Sequence, residues 1–362
     1  MKRIKKFGLI KEGVTRKKFT LPTILAVAWI ITSLLGMSFL PLRKENLESS
    51  TLNLAFVKEK ILGAGDNKIH GFAYYDGYLW ASTRTSPGRI LKIDPPTLDY
   101  QRIILDRGLN NGEDLISAEG YIWVILHTSP SKIIKIDPNT LDWEIAVAFK
   151  SGEVGHGGSL EYAFGYLWAG GYGKIAKIDL DNLRYQIYDY SGTVGNTQFH
   201  ALVSGGNYIW GSCPCSSLIS QKTDILRINP SNPTQYDWLR LDELITDDMV
   251  YINDNLYAGT ESEWKSSHVY KISNDLTFTK GITHNTKCYG IFYHQANGLW
   301  GTHEEKPGKL IKFDLDLTLK GVYNLPNDFN HANEIVFDEI GNIYVTCWES
   351  PAKIVKLTPN RS

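Results

Sequence analysis

The sequence predicts an all-β protein, a seven-bladed β-propeller preceded by a transmembrane helix. Three observations carry that reading. A turn followed by an aromatic residue recurs seven times, at Trp80, Trp123, Trp168, Trp210, Tyr257, Trp300 and Tyr344, with spacings of 43, 45, 42, 47, 43 and 44 residues. Each aromatic precedes a strand of the type KIxKID: RILKID at 89–94, KIIKID at 132–137, KIAKID at 174–179, DILRIN at 224–229, HVYKIS at 268–273, KLIKFD at 309–314 and KIVKLT at 353–358. A period in the forties, filled with short strands, is the signature of propeller blades. The third observation is an uncharged run at residues 19–42 behind a basic head.

The elements follow in order. Residues 1–18 hold eight Lys or Arg and one Glu, leaving 30 basic and 38 acidic residues in the rest of the chain. The run at 19–42, FTLPTILAVAWIITSLLGMSFLPL, exceeds the roughly 20 apolar residues that cross a bilayer as a helix. Its basic flank places the amino terminus in the cytoplasm and exports the remainder. Pro22 falls near the helix start, where proline is tolerated. The run is longer than a signal-peptide core and no clear A-x-A site follows it, which favours a retained anchor. Cleavage beside Gly36 or Ser38 would instead release a secreted propeller. Residues 43–50 form a polar linker, and 51–362 form the propeller. At 362 residues the chain is long enough to build all seven blades as one closed domain.

Blade one sets the strand map. HGFAYYDG at 70–77 is the inner strand A with an Asp76-Gly77 turn, YLWAST at 78–83 is strand B, RILKID at 89–94 is C and LDYQRIIL at 98–105 is D. Between C and D lie DPPTLD, DPNTLD and DLDNLR, where Asp and Pro set the turn. Strand C alternates apolar residues with lysines, so its lysine face is expected to meet water. The last repeat ends after its strand C, while residues 51–62 resemble a strand D. They are expected to complete the seventh blade and leave no open seam.

The blade pattern resembles the seven-bladed propellers of the YVTN/NHL-like group, including streptogramin B lyase-like and gluconolactonase-like proteins, over residues 51–362. Tyr344-Val345-Thr346-Cys347 comes nearest to the YVTN tetrapeptide. The resemblance implies that the face carrying the D–A and B–C loops binds the ligand.

Ten residues before each aromatic lie His70, Glu113, Gly158, His200, Asp247, Gly290 and Glu334, at the expected start of strand A. Five are ionisable and would converge on one funnel. Glu113, Asp247 and Glu334 are candidate ligands for a divalent cation, Ca or Mg, and His200 and His331 are candidate proton-transfer groups. Alternatively, these polar side chains simply hydrate a channel. The B–C loops add His127, Arg84, Tyr172, Trp264, His303, Glu304 and Trp348. With His70 and His156 they form a candidate ligand face of the type that binds a protein or a carbohydrate.

Cys213 and Cys215 are too close in sequence for a mutual disulfide, whereas Cys288 and Cys347 fall in neighbouring blades and could pair in an exported protein. Walker, Rossmann, HExxH and haem-attachment motifs are absent from the sequence. GHGG at 155–158 lacks the strand–turn–helix context of a nucleophile elbow and reads as a turn. The acidic exported portion lacks a basic stripe, which argues against nucleic acid. The basic head suits anionic lipid. The expected function is therefore a membrane-anchored, extracytoplasmic recognition or scaffold module. The alternative, implied by the resemblance, is a metal-dependent lyase or lactone hydrolase working in the funnel.

Overall fold

Twenty-eight strands assemble into seven antiparallel sheets of four strands each among the described residues. The computed structural model describes residues 54–217, 220–261, 268–282, 288–326 and 328–359. The basic head, the apolar run at 19–42, the linker at 43–50 and Trp264 lie outside them, as does the side chain of Asp247. Among the described residues no helix is long and apolar enough to cross a membrane, and α1 is a single turn, Ser191–Val194.

Strand β1 is Leu54–Ile61. Blade 1 comprises β2 to β5: Ile69–Tyr75, Tyr78–Thr83, Arg89–Ile93 and Tyr100–Ile104. Blade 2 comprises β6 to β9: Gly112–Ala118, Tyr121–Leu126, Lys132–Ile136 and Trp143–Ala148. Blade 3 comprises β10 to β13: Ser159–Ala163, Tyr166–Gly170, Lys174–Ile178 and Tyr185–Asp189. Blade 4 comprises β14 to β17: Ala201–Gly205, Tyr208–Ser217, Ser220–Ile228 and Tyr236–Leu241. Blade 5 comprises β18 to β21: Leu244–Ile252, Asn255–Glu261, His268–Ser273 and Phe278–Ile282. Blade 6 comprises β22 to β25: Cys288–His294, Gly298–His303, Lys309–Phe313 and Leu319–Asn324. Blade 7 joins β26 to β28, Ala332–Phe337, Ile343–Cys347 and Lys353–Pro359, to β1.

The seventh sheet has the order β1-β28-β27-β26, so its outer strand comes from the other end of the chain. Leu54 pairs with Pro359 and Ile61 with Lys353, with a bulge between Phe56 and Lys58. Just past β1, the carboxylate of Asp66 is fully buried. It accepts hydrogen bonds from Arg89 Nη1 at 2.9 Å, from the Tyr100 hydroxyl at 2.8 Å and from Arg102 Nη2. One buried charge thus ties the β1–β2 connection to strands β4 and β5.

The seven repeat aromatics are at most 1% exposed. A buried indole usually finds an acceptor for its N–H, although Trp80 Nε1 is buried with no hydrogen-bond partner among the described residues. Trp123, Trp168 and Trp210 donate Nε1 to the carbonyls of Ala118, Ala163 and Gly205 at 3.0–3.1 Å.

The strand C lysines depart from the expected water-facing role. Lys92, Lys135 and Lys177 lie 3.8–4.0 Å above the rings of Tyr78, Tyr121 and Tyr166 and 5.3–5.6 Å from the repeat tryptophans. Four strand C lysines also reach the next blade with their ammonium groups. Lys92 donates to Pro138 O at 2.7 Å, Lys177 to Pro230 O at 2.8 Å, Lys271 to Leu315 O at 2.9 Å and Lys356 to Pro95 O at 3.3 Å. The aliphatic stem packs while the charge is held by a ring face and a neighbouring carbonyl. Lys356 makes this contact from blade 7 to blade 1 and so carries the pattern across the chain junction.

In the C–D turns, the Asp that ends the lysine strand caps the following backbone. Asp137 Oδ1 accepts from Asn139 N at 2.8 Å and Asp179 Oδ1 from Asp181 N at 2.9 Å. This is the local side-chain bonding that favours Asp in turns.

Candidate functional site

Two polar regions occupy the axis: a central cavity and, above it, the mouth formed by the B–C loops and the residues leading into each strand A. The cavity measures about 400 Å³ and is walled by Phe72, Leu115, Leu160, Leu202, Met249, Ile291, Phe292 and Ile335. His70, Asp114, Glu161, His200, Asp248 and Glu334 also line it.

Strand register explains which polar residues reach the cavity. Leu115 pairs with Val124, one residue past Trp123, and Ile335 pairs with Val345, one residue past Tyr344. Leu115 and Ile335 are therefore equivalent, which makes Glu334 the counterpart of Asp114, while Asn333 corresponds to Glu113. The A–B turns cause the offset. Ala118 and Tyr121 enclose two residues, whereas His294 and Gly298 enclose three. Blade 7 also gains one residue between Phe337 and Ile343 relative to blade 2. A count of ten back from the aromatic consequently lands one row away in blades 6 and 7. At Gly158 the row lacks an ionisable side chain for a steric reason, because a Cβ there would sit 2.2 Å from Phe199 O.

Glu113 is nearly fully buried, and its partner is Arg84. Arg84 Nε donates to Oε2 at 2.5 Å and Nη2 donates to Oε1, a two-point pairing. His70 Nε2 lies 3.6 Å from the same carboxylate. The Trp348 ring meets His70 edge-on at 5.3 Å and carries two cations nearby, Lys68 Nζ at 5.4 Å and the Arg84 guanidinium at 5.7 Å. Beyond Arg84, the rings of His127 and His156 are 4.9 Å apart, and His156 stacks on Tyr172 at 4.5 Å. Burial lowers the His127 pKa from its ordinary value, with Arg84, His156 and His70 adding to the effect and Glu113 opposing it.

A backbone belt holds this rank in place. His331 N donates to Glu305 O, Trp348 N to His331 O, Lys68 N to Glu349 O and Arg84 N to Lys68 O, at 2.8–3.0 Å. The belt continues from Asn111 N to Thr85 O, His127 N to Asn111 O, His156 N to Thr128 O and Tyr172 N to Gly155 O, at 2.8–3.0 Å. It runs from blade 6 through blades 7, 1 and 2 to blade 3, and Gly173 N to Thr197 O at 2.7 Å and Phe199 N to Gly171 O at 3.1 Å carry it on to the residues entering blade 4. Lys68, Asn111, His156 and His331, the residues entering strand A, all take φ near +50°. That left-handed turn recurs at the same place in four blades.

The sequence-predicted residues therefore separate into groups. The mouth brings together His70, Arg84, Glu113, His127, His156, Tyr172 and Trp348. His200 and Glu334 line the cavity. His331 pairs with Glu304, Nδ1 to Oε1 at 3.3 Å. His303 is fully buried at the end of β23, so it is not on the exposed face. Among the described residues no three His, Cys, Asp or Glu side chains converge as a cation site. Cys213, Cys288 and Cys347 are buried, Cys288 and Cys347 as free thiols, and burial pushes the Cys288 thiol up to about 12.

Sequence reading missed Lys68, Asp114, Glu161 and Asp248. Lys68 had no signal in the repeat, because the four left-handed positions ahead of strand A hold Lys68, Asn111, His156 and His331, with no one residue type common to all. Asp114 and Asp248 would have required the correct strand register.

No family model matches the sequence, and no curated protein matches it. Solved structures do. Virginiamycin B lyase from Staphylococcus aureus superposes with a TM-score of 0.68 at 18% identity, covering 83% of this chain and 98% of that one. The extracellular domain of a hybrid two-component system from B. thetaiotaomicron gives 0.63 at 12% identity over 84% of this chain and 39% of that one. The WD40 domain of Neurospora crassa Pan2 gives 0.61 at 10% identity over 82% and 90%. At these identities the likeness is one of fold: the chain is a seven-bladed β-propeller of the architecture found in virginiamycin B lyase.

Proposed function

We propose that the chain is a recognition propeller whose loop-face mouth binds a carbohydrate or protein ligand outside the cytoplasm, tethered by residues 19–42. The observation that carries the reading is the backbone belt, which gathers Trp348, Lys68, Arg84, His127, His156 and Tyr172 over blades 7 to 3. Fixed aromatic rings with interspersed cations form the kind of surface that supplies binding energy without large ordering costs. Tethering is supported by the uncharged length of residues 19–42 and the basic head before it.

The test is a screen of the full chain in detergent against immobilised oligosaccharides and peptides, repeated with Trp348→Ala/Tyr172→Ala and with Trp238→Ala. Trp238 is an exposed aromatic on the outer strand of blade 4 and serves as the control. Capture is expected to be lost in the double variant and retained in the control. Capture that survives the double variant would remove the mouth as the site.

A further inference from the structure

We propose that the central cavity beneath the mouth binds an aliphatic polyamine, a methylene chain carrying separated ammonium charges. The inference goes beyond the loop-face reading and does not depend on it.

Lining chemistry is the first argument. The cavity, at about 400 Å³, lies in the size range of small-molecule sites. Asp114, Glu161, Asp248 and Glu334 line it with His70 and His200, and among the described residues no lysine or arginine does. Asp114 accepts Leu115 N and Leu160 N, each at 2.7 Å, and Glu161 accepts Ser204 N at 3.1 Å. These backbone donors orient the carboxyls and bring no charge of their own. Burial pushes Glu161 up to about 7, yet with that group neutral and both imidazoles protonated, three carboxylates still face two cations. The cations of the mouth lie elsewhere: Arg84 pairs with Glu113, and Lys68 is exposed beside Trp348. Asp114, Glu161, Asp248 and both histidines are only half-buried, so solvent reaches them.

Spacing is the second. Asp114, Asp248 and Glu334 each precede the residue that pairs one position past the repeat aromatic, so they occupy one row in blades 2, 5 and 7. Glu161 belongs to blade 3 and stands two residues farther along its strand, roughly 7 Å. Among the described residues no three such side chains converge as a cation site, so a point ion meets only some of them. Leu115, Leu202, Met249, Ile291, Phe292 and Ile335 make much of the remaining wall apolar. Methylene spacers suit that wall, and ammonium groups several bonds apart suit carboxyls held in separate blades.

The probe is spermidine, titrated calorimetrically into the full chain in detergent. Magnesium, which has charge without methylenes, is the first comparison, and octanediol, which has methylenes without charge, is the second. The proposal expects spermidine to bind more tightly than either, and added salt to weaken it. Glu334→Gln and Glu161→Gln, each removing one cavity carboxylate, are expected to weaken spermidine about tenfold. Glu144→Gln, which removes an exposed carboxylate on the outer strand of blade 2, is expected to leave binding unchanged. Magnesium or octanediol binding as tightly as spermidine overturns the polyamine assignment. Binding that survives both cavity variants, or that falls equally in Glu144→Gln, places the amine outside the cavity and overturns the site. Absence of spermidine binding overturns the proposal outright. Two separate carboxyls are tested so that one variant decides if the other fails to fold, and thermal unfolding identifies the variant that remains native.

Discussion

Glu161 shows how burial can dominate the pKa of a carboxyl group. It lines the cavity, accepts Ser204 N at 3.1 Å and is pushed up from 4.5 to about 7. Desolvation is the main cause, Asp114 adds to it, and the Ser204 bonds oppose it. Since the folded-state pKa is raised, the stability it lends is complete below about pH 4.5 and is lost as pH rises towards 7. Urea denaturation of wild type and Glu161→Gln across that window should show the wild type losing ground to the variant by up to about 3 kcal/mol. Parallel pH curves would mean that the carboxyl is well solvated. The composition and the repeat could not show this residue. Glu161 sits in LEYAFGYLW with nothing to distinguish it from a surface glutamate, and only the closed ring places it against Asp114. Glu113 is the converse case. Its row was legible from the spacing to Trp123, but its two-point partner Arg84 comes from the loop of another blade and emerges only once the blades are packed.

Strands were more legible than sites because a period-two pattern and a turn suffice to place them. The seven aromatics, the DG-type turns and the KIxKID strands all fall within the observed sheets. Counting failed where a turn gained one residue, in blades 6 and 7, since a single insertion moves a side chain to the next row. The lysines of strand C carried more than alternation indicated, because a latch to the next blade leaves no trace in local pattern. The β1–β2 connection tests this level directly. Asp66 is a buried carboxylate serving Arg89, Arg102 and Tyr100 at once. Asp66→Asn should lower the unfolding free energy by about 3 kcal/mol, at the low end for a broken buried pair because both arginines remain partly exposed. A shift below about 0.5 kcal/mol in chemical denaturation would show that the network is not a structural tie.

At the scale of the molecule, closure and function meet in the same strand pairing. β1 covers the free edge of β28, and the connection from β1 leads directly to Lys68 and His70 at the mouth. Removal of residues 54–61 exposes that edge and is expected to turn a single cooperative unfolding transition into a broadened one with aggregation. An unchanged transition would show that the ring holds without its outer seventh strand. The cluster gathered over blades 7 to 3 leads to a larger claim, that the ligand sits over that part of the mouth. Hydrogen–deuterium exchange of the full chain with a captured ligand measures this most directly. The account predicts slowed exchange in the loops at 83–88, 126–131, 170–173 and 348–352, with the C–D turns unchanged. Slowed exchange confined to the C–D turns on the opposite face would contradict it.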